Sequence, residues 1–395
     1  MMELISLGKL CHKITDGSHN PPKGLEFGGL MLSSRNITNN GLTLDHARFL
    51  DKEDFERENK RTDVCPGDVL MTIVGTLGRV LVVNKQHPKF TLQRSVGVLK
   101  PNLEILFPIY LAYALKSETF QRKLTKGAKG VAQKGIYLKE IRNLKIPLPP
   151  LDQQKKIAAI LDAADTCRQK TKALIEKYEE LTQSLFLDMF GDPVTNSKGW
   201  EEIKLGNICG VGSSKRVFVN ELVEDGIPFY RGTEVGKLGE GKSIIPKLFI
   251  TKEHYERLKE HRGIPKKGDL LMPSICPDGR IWVVDDDKEF YFKDGRVLWV
   301  EVDSRKINSI YLRYHMKGSF FANYNNIASG TTFAELKIVA LKKMNIFYPD
   351  LNLQNQFAEK VQAIEAQKEQ AQASLAGAED LFNSLLQRAF KGELV

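Results

Sequence analysis

The sequence has little of what usually announces an enzyme, a metalloprotein or a membrane protein. Only five of its 395 residues are cysteine, Cys11, Cys65, Cys167, Cys209 and Cys276, and no two form a C-x-x-C pair. That spacing argues against a zinc ribbon, a thioredoxin-type site and a disulfide scaffold, and it suits a reducing compartment. The seven histidines, His12, His19, His46, His87, His254, His261 and His315, are scattered without metal-ligand spacing, so no metal is expected. No apolar run reaches membrane-spanning length, and the opening stretch MMELISLGKLCHKITDG lacks a long apolar core. A cytoplasmic location is therefore expected. What is present is ordinary globular composition, 42% hydrophobic and 27% charged, with length enough for two or three domains. The net charge of +9 is modest and favours an anionic partner.

The second half of the chain retells the first. GDVLMTIVGTLGRVLVV from Gly67 is echoed by GDLLMPSICPDGRIWVV from Gly268, and PIYLAYALKSETF from Pro108 by SIYLRYHMKGSFF from Ser309. ISLGKL from Ile5 is echoed by IKLGNI from Ile203, so the matches share an order and offsets of 198 to 201. The period is far too long for a solenoid, and the expectation is two duplicated modules.

Each module reads as a strand-rich part followed by one amphipathic helix, PIYLAYALKSETFQRKL in the first copy, with Pro108 in its first turn. After Pro147-Leu148-Pro149-Pro150 comes a forty-residue stretch without Gly or Pro, residues 151–190. Ile157, Ile160, Ala164, Cys167, Thr171, Leu174, Tyr178, Leu181 and Leu185 recur in steps of three and four, a seam that calls for a partner helix. The C-terminal stretch offers one, through Phe357, Val361, Ile364, Lys368, Ala371, Leu375, Ala378, Phe382, Leu385 and Ala389. The alternative is that each helix packs on its own globular part. Residues 151–190 carry a net −1 and residues 351–395 a net −2, so the excess positive charge lies in the globular parts. Basic heads with near-neutral helices suit a nucleic-acid reader.

Three catalytic patterns occur, each in the wrong context. Gly236–Ser243 fits G-x-x-x-x-G-K-[ST], but the following IIPKLFIT, broken by Pro246, offers no helix start, and a basic hairpin loop is expected. Asn20-Pro21-Pro22-Lys23 approximates an adenine-methyltransferase motif, yet Lys23 cannot stack on a flipped base as the aromatic residue does. Pro277-Asp278 with Asp286-Asp287-Lys288 approximates a nuclease cluster, whereas the first copy has no carboxylate there and Asp favours turns.

Over nearly its full length the chain resembles the specificity subunit of type I restriction–modification systems. DGSHNPPK, GDVLMTIVGTLGRV and above all GAKGVAQKGIYLKEIRNLKIPLPPLDQQKKIAAILDA carry the resemblance; the second copy reads YPDL in place of PLPP. The resemblance implies an α+β fold: two similar strand-rich target-recognition domains, separated by two long helices that pair as an antiparallel coiled coil, with a pseudo-two-fold repeat. The corresponding division is residues 1–147, 148–192, 193–348 and 349–395. It also implies a non-catalytic subunit, each domain reading half of a split, asymmetric duplex DNA site. The helices would set the spacer and dock two adenine-methyltransferase subunits, and two ATP-dependent translocase–nuclease subunits could join. S-adenosylmethionine, ATP and Mg would belong to those partners, and this chain would hold no cofactor. A related methyltransferase–nuclease system and a coiled-coil protein-binding scaffold are the alternatives.

Base edges are read by Arg, Lys, Asn and Gln, and phosphates are held by cations and hydroxyls. In the first domain the candidates are Lys23, Ser34, Arg35, Arg79, Gln93, Arg94, Lys126, Lys129 and Lys134. In the second they are Lys215, Arg216, Arg231, Arg280, Lys293, Arg296, Thr331 and Thr332.

Overall fold

The chain folds into two compact units in the computed structural model, which describes residues 3–128, 134–328 and 334–394. One unit comprises residues 1–172 and 373–395, the other residues 173–372. Both divisions fall inside the long helices, so each unit is one strand-rich head with a length of each helix.

In the first unit a four-stranded antiparallel sheet runs, in spatial order, Cys11–Asp16, Val96–Pro101, Val69–Thr72 and Val80–Val82. In the second, Cys209–Gly212, Val297–Val302, Leu270–Pro273 and Trp282–Val283 repeat that order. Val98 pairs with Leu70 as Trp299 pairs with Leu271. A three-stranded sheet also recurs, with Gly29–Leu32 between Arg48–Leu50 and Phe90–Leu92, and Ile227–Tyr230 between Phe249–Ile250 and Tyr291–Phe292. In each the middle strand is antiparallel to one neighbour and parallel to the other. The duplication seen in the sequence is a duplication of topology.

The apolar runs follow from burial on both faces. Side chains alternate along a strand, so Val69 and Met71 join Tyr110 and Leu111 while Leu70 joins Leu32, Phe90 and Leu92. Leu270 and Met272 likewise face Tyr311 and Leu312, and Leu271 faces Phe292 and Trp299. Each such side chain contributes about 1.5–3 kcal/mol on leaving water. Turn glycines are duplicated too. Gly28 and Gly226 both hold positive φ, and a Cβ there would lie 2.1 Å from the Leu50 carbonyl oxygen or 2.5 Å from that of Ile250.

Helices Lys52–Thr62 and Lys252–Arg262 are capped by Asp51 and Thr251, whose side chains accept from the third residue on. The single helix expected after Pro108 is corrected to two, Pro108–Lys116 and Glu118–Gly127. Ser117 is extended (φ −60°, ψ 143°) and its hydroxyl accepts from Phe120 N, so it ends one helix and caps the next. The second copy runs through as Ser309–Ile327, with a non-helical Asn323.

The long helices span Leu151–Phe190 and Leu351–Lys391. They pair within each unit: Phe382, Leu386 and Ala389 pack with Ile157 and Leu161 in the first, and Phe186 and Phe190 with Phe357 and Val361 in the second. The Lys172–Glu379 (2.9 Å) and Lys368–Glu179 (2.9 Å) ion pairs flank these contacts. The C-terminal seam is buried or half-buried as read, but four of the nine positions of the first seam are corrected. Ile160, Leu174 and Leu181 are 38%, 42% and 50% exposed, and Cys167 is exposed. The helix instead turns Leu161, Arg168, Ile175 and Thr182 inward. Arg168 is tolerated because Asp165 neutralises it at 2.5 Å and its guanidinium lies 4.4 Å from the Phe382 ring centre.

Each long helix is tied to its head by a fully buried glutamine. Gln154 Oε1 accepts from Phe107 N (2.8 Å), and its Nε2 donates to Ile105 O (2.8 Å) and Pro149 O (2.9 Å). Gln354 accepts from Asn308 N (2.9 Å) and donates to Pro349 O (2.8 Å).

Candidate nucleic-acid interface

In the first unit the Gly-rich turn Val74–Gly78 stands between two polar clefts. One, of about 450 Å³, is lined by Ser18, His19, Asn20, Pro21, Val74, Gln93, Arg94 and Ser95. The other, of about 380 Å³, is lined by Asn39, Thr76, Leu77, Gly78, Arg79, Lys116 and Gln121. Backbone bonds hold the ridge: Gly75 N donates to Lys134 O (3.0 Å) and Ile73 N to Ser95 O (2.9 Å). Ser34 N donates to Ser95 Oγ (3.0 Å), bringing the Ser33–Asn36 turn to the rim.

Buried Asp16 organises the first cleft from behind. Its Oδ1 accepts from Arg61 Nη2 (2.5 Å) and its carbonyl from Arg61 Nε (2.9 Å). Its Oδ2 accepts from His19 Nε2 (2.9 Å), which fixes the imidazole at the cleft wall. Arg48 braces the next loop by donating to the carbonyls of Pro21 and Pro22.

Of the residues expected to contact DNA, the structure brings Arg79, Gln93 and Arg94 directly to the clefts, with Ser34 and Lys134 bonded to their walls. Lys23 and Arg35 are exposed on neighbouring loops, and Lys126 is exposed near the end of helix Glu118–Gly127. Among the described residues no carboxylate lies within ion-pair distance of Lys23, Arg35, Arg94, Lys126 or Lys134, and Arg79 donates to Ile37 O (3.3 Å). Lys129, Thr331 and Thr332 lie outside the described residues. Sequence reading passed over His19, Asn39, Thr76 and Gln121 as contact residues; His19 stands inside DGSHNPPK, next to the Asn20–Lys23 stretch that supplied Lys23.

The second unit presents its cations differently. Arg216 donates to Asp294 (3.0 Å), Arg231 to Glu234 (3.1 Å), Arg280 to Asp278 (2.8 Å) and Arg296 to Glu335 (3.3 Å). Lys293 lies 3.3 Å from Asp294, and Lys215 is exposed, its backbone N donating to the Tyr291 hydroxyl. The ridge position held by Leu77 in the first copy is Asp278 here, and that carboxylate engages Arg280. Residues 1–147 hold 23 Lys and Arg against 14 Asp and Glu; residues 191–350 hold 25 against 22.

The Gly236–Ser243 stretch is not the hairpin loop expected. Gly236–Gly239 is the last turn of helix Gly232–Gly239, because Val235 and Gly236 bury against the sheet and Glu234 accepts from Arg231 N at the start. A phosphate-binding loop needs a helix to begin after the lysine, and here one ends before it. Asp278 and Asp286 each serve a local cation, Arg280 and Lys288; the Lys288 ammonium holds the Asp286 carboxyl below its usual range. Among the described residues no three His, Cys, Asp or Glu side chains cluster to hold a metal ion.

A family profile described as the type I restriction modification DNA specificity domain matches residues 28–180 and again 197–375. The chain belongs to this family. It carries two copies of the specificity domain, one in each head. An Escherichia coli relative, the type I restriction enzyme EcoBI specificity subunit, is 27% identical over 190 residues, covering 47% of this chain and 39% of that one. The MjaVIII specificity subunit of Methanocaldococcus jannaschii is 26% identical over 334 residues, covering 78% of this chain and 74% of that one. Thus the match spans well under half of one relative's length and about three quarters of the other's. The S subunit of a type I restriction-modification system from M. genitalium shares the fold, with a TM-score of 0.57 at 17% identity over 99% of this chain and 96% of that one. No helix among the described residues is long and apolar enough to cross a membrane.

Proposed function

We propose that this chain is the non-catalytic DNA-recognition subunit of a type I restriction–modification complex, acting in the cytoplasm. The observation that carries the reading is the coincidence of two specificity-domain matches with two heads of the same topology. Residues 1–147 and 193–348 each read one half of a split, asymmetric duplex site. Residues 148–192 and 349–395, the helical stretches, set the number of unread base pairs and dock two adenine-methyltransferase subunits, to which two translocase–nuclease subunits can add. S-adenosylmethionine, ATP and Mg act on those partners.

Within the heads, Lys23, Ser34, Arg35, Arg79, Gln93, Arg94, Lys126, Lys129 and Lys134 form one contact set. Lys215, Arg216, Arg231, Arg280, Lys293, Arg296, Thr331 and Thr332 form the other. The ridge and its two polar clefts support the first set, since a convex turn flanked by donors suits a groove edge. The test is to co-express the chain with its modification subunits and sequence the methylated DNA. Methylation of adenines at one split motif, absent when this chain is omitted, is the expected result. Methylation or cleavage by the purified chain alone would overturn the non-catalytic reading, and methylation without this chain would overturn the recognition role.

A further inference from the structure

In the loops that leave the corresponding first strand of the four-stranded sheet, the two heads carry chemically different exposed side chains, and each is held from behind by a carboxylate. The correspondence of the two strands follows from their pairing. Thr15 pairs with Val98 and Gly212 with Trp299, and those partners pair in turn with Leu70 and Leu271. Counting the same number of residues onward from Thr15 and from Gly212 reaches His19 and Arg216. The carboxylates come from different places: Asp16 from the end of the same strand in the first head, Asp294 from the turn after strand Tyr291–Phe292 in the second.

In both cases the brace is sheltered and the braced group is not. The Asp16 and Asp294 side chains are 10% and 16% exposed, whereas those of His19 and Arg216 are 52% and 67% exposed. Asp294 engages only Nε of Arg216, at 3.0 Å, so both Nη groups keep their donors without a protein acceptor among the described residues. Two parallel N–H groups on a planar fork fit the O6 and N7 acceptors of guanine in the major groove. With His19 Nε2 engaged by Asp16 and 3.4 Å from Arg61 Nη2, Nδ1 has no hydrogen-bond partner among the described residues and stands on a ring at the cleft wall. A phosphate needs no such orientation, because a flexible cation serves it from many directions. Fixing the direction of an exposed polar atom, donor on Arg216 and acceptor on the neutral His19 ring, is useful where hydrogen-bond geometry selects among base edges.

We propose that His19 and Arg216 are specificity-determining residues, one in each head, each reading a base edge in its half-site, with Asp16 and Asp294 as positioning residues, Arg216 reading a guanine. This rests on the DNA-recognition reading above and deepens it.

The experiment uses the full chain co-expressed with its modification subunits, and methylation-sensitive sequencing of the cellular DNA as readout. His19→Gln should relax the motif at one base of one half-site, and Arg216→Lys at one guanine of the other. Loss of a bidentate contact should cut discrimination at that base by about 5- to 150-fold. Asp294→Asn, which keeps the Arg216 charge, should relax the same guanine to a smaller degree, an effect that loosened packing alone would spread over the whole half-site. The untouched head's half-site is the internal control for folding. Unchanged motifs in all three variants would overturn the inference while leaving the recognition role standing. So would a uniform loss of affinity across all sequences, with the salt slope reduced by about 1, because that is how a phosphate contact behaves. A wild-type complex that modifies no defined motif would overturn the recognition role and this inference together.

Discussion

Two heads with the same sheets in the same order handle charge in opposite ways. The first holds 23 cationic side chains against 14 acidic ones and leaves Lys23, Arg35, Arg94, Lys126 and Lys134 without an ion-pair partner among the described residues. The second holds 25 against 22 and gives Arg216, Arg231, Arg280 and Arg296 a carboxylate each. Their cores diverge in the same manner. Ala114 of the first copy corresponds to His315 of the second, which is fully buried and accepts from Phe347 N (3.2 Å). The first copy has Pro147 at the Phe347 position, with no N–H to satisfy, so a small apolar residue suffices there. A duplicated backbone thus fixes where side chains stand and leaves their chemistry free to change.

The largest expected effect tests what the heads share. Replacing Gln154 by Leu strips partners from three backbone groups, Phe107 N, Ile105 O and Pro149 O, and Gln354→Leu strips them from two, Asn308 N and Pro349 O. Each orphaned group costs about 1–3 kcal/mol. Hydrogen exchange at residues 105–107 and 149–154 should report a local loss of about 3 kcal/mol or more for Gln154→Leu, and less for Gln354→Leu. Equal and negligible losses would break the claim that these side chains anchor the helices.

Acid should separate the heads. Burial pushes the His315 imidazole down to about 3, while its unfolded value is near 6.5. Between these values the unfolded chain binds a proton that the folded chain does not, so the stabilisation present above 6.5 is lost as pH falls. The slope is about 1.4 kcal/mol per pH unit. The second unit should lose exchange protection first as pH falls from 7 to 5, and His315→Leu should flatten that dependence by one proton. Loss of protection in the first unit ahead of the second would contradict this.

The smallest effect is electrostatic. Removing one unpaired cation of the first head, as in Arg94→Gln or Lys134→Gln, should lower the slope of log affinity against log salt by about 1. Arg231→Gln or Arg296→Gln should lower it less, because a carboxylate already offsets that charge. Equal reductions would erase the distinction between the heads.

Much of this was legible in the sequence because it repeats or is periodic. The duplication, both long helices and the C-terminal seam could be read from spacing alone. The first seam could not, since Ile160, Cys167, Leu174 and Leu181 make an equally good apolar line beside the true one. Only the packing of Arg168 on Phe382 and the burial of Gln154 and Thr182 decide between them. Lysines and arginines of the interface were visible as residue types, but the His19–Asp16 and Arg216–Asp294 pairs were not. Arg216 and Asp294 stand far apart in the chain, and their meeting depends on how the strands close the head.

The central claim is that each head reads its own half of a split site. The most direct measurement exchanges residues 1–147 for the matching part of a relative with a different target. Methylated adenines are then mapped in cells expressing the hybrid with the modification subunits. The account predicts a motif in which one half-site is replaced by the relative's and the other half is unchanged. A hybrid in which both halves change, or neither does, would contradict it.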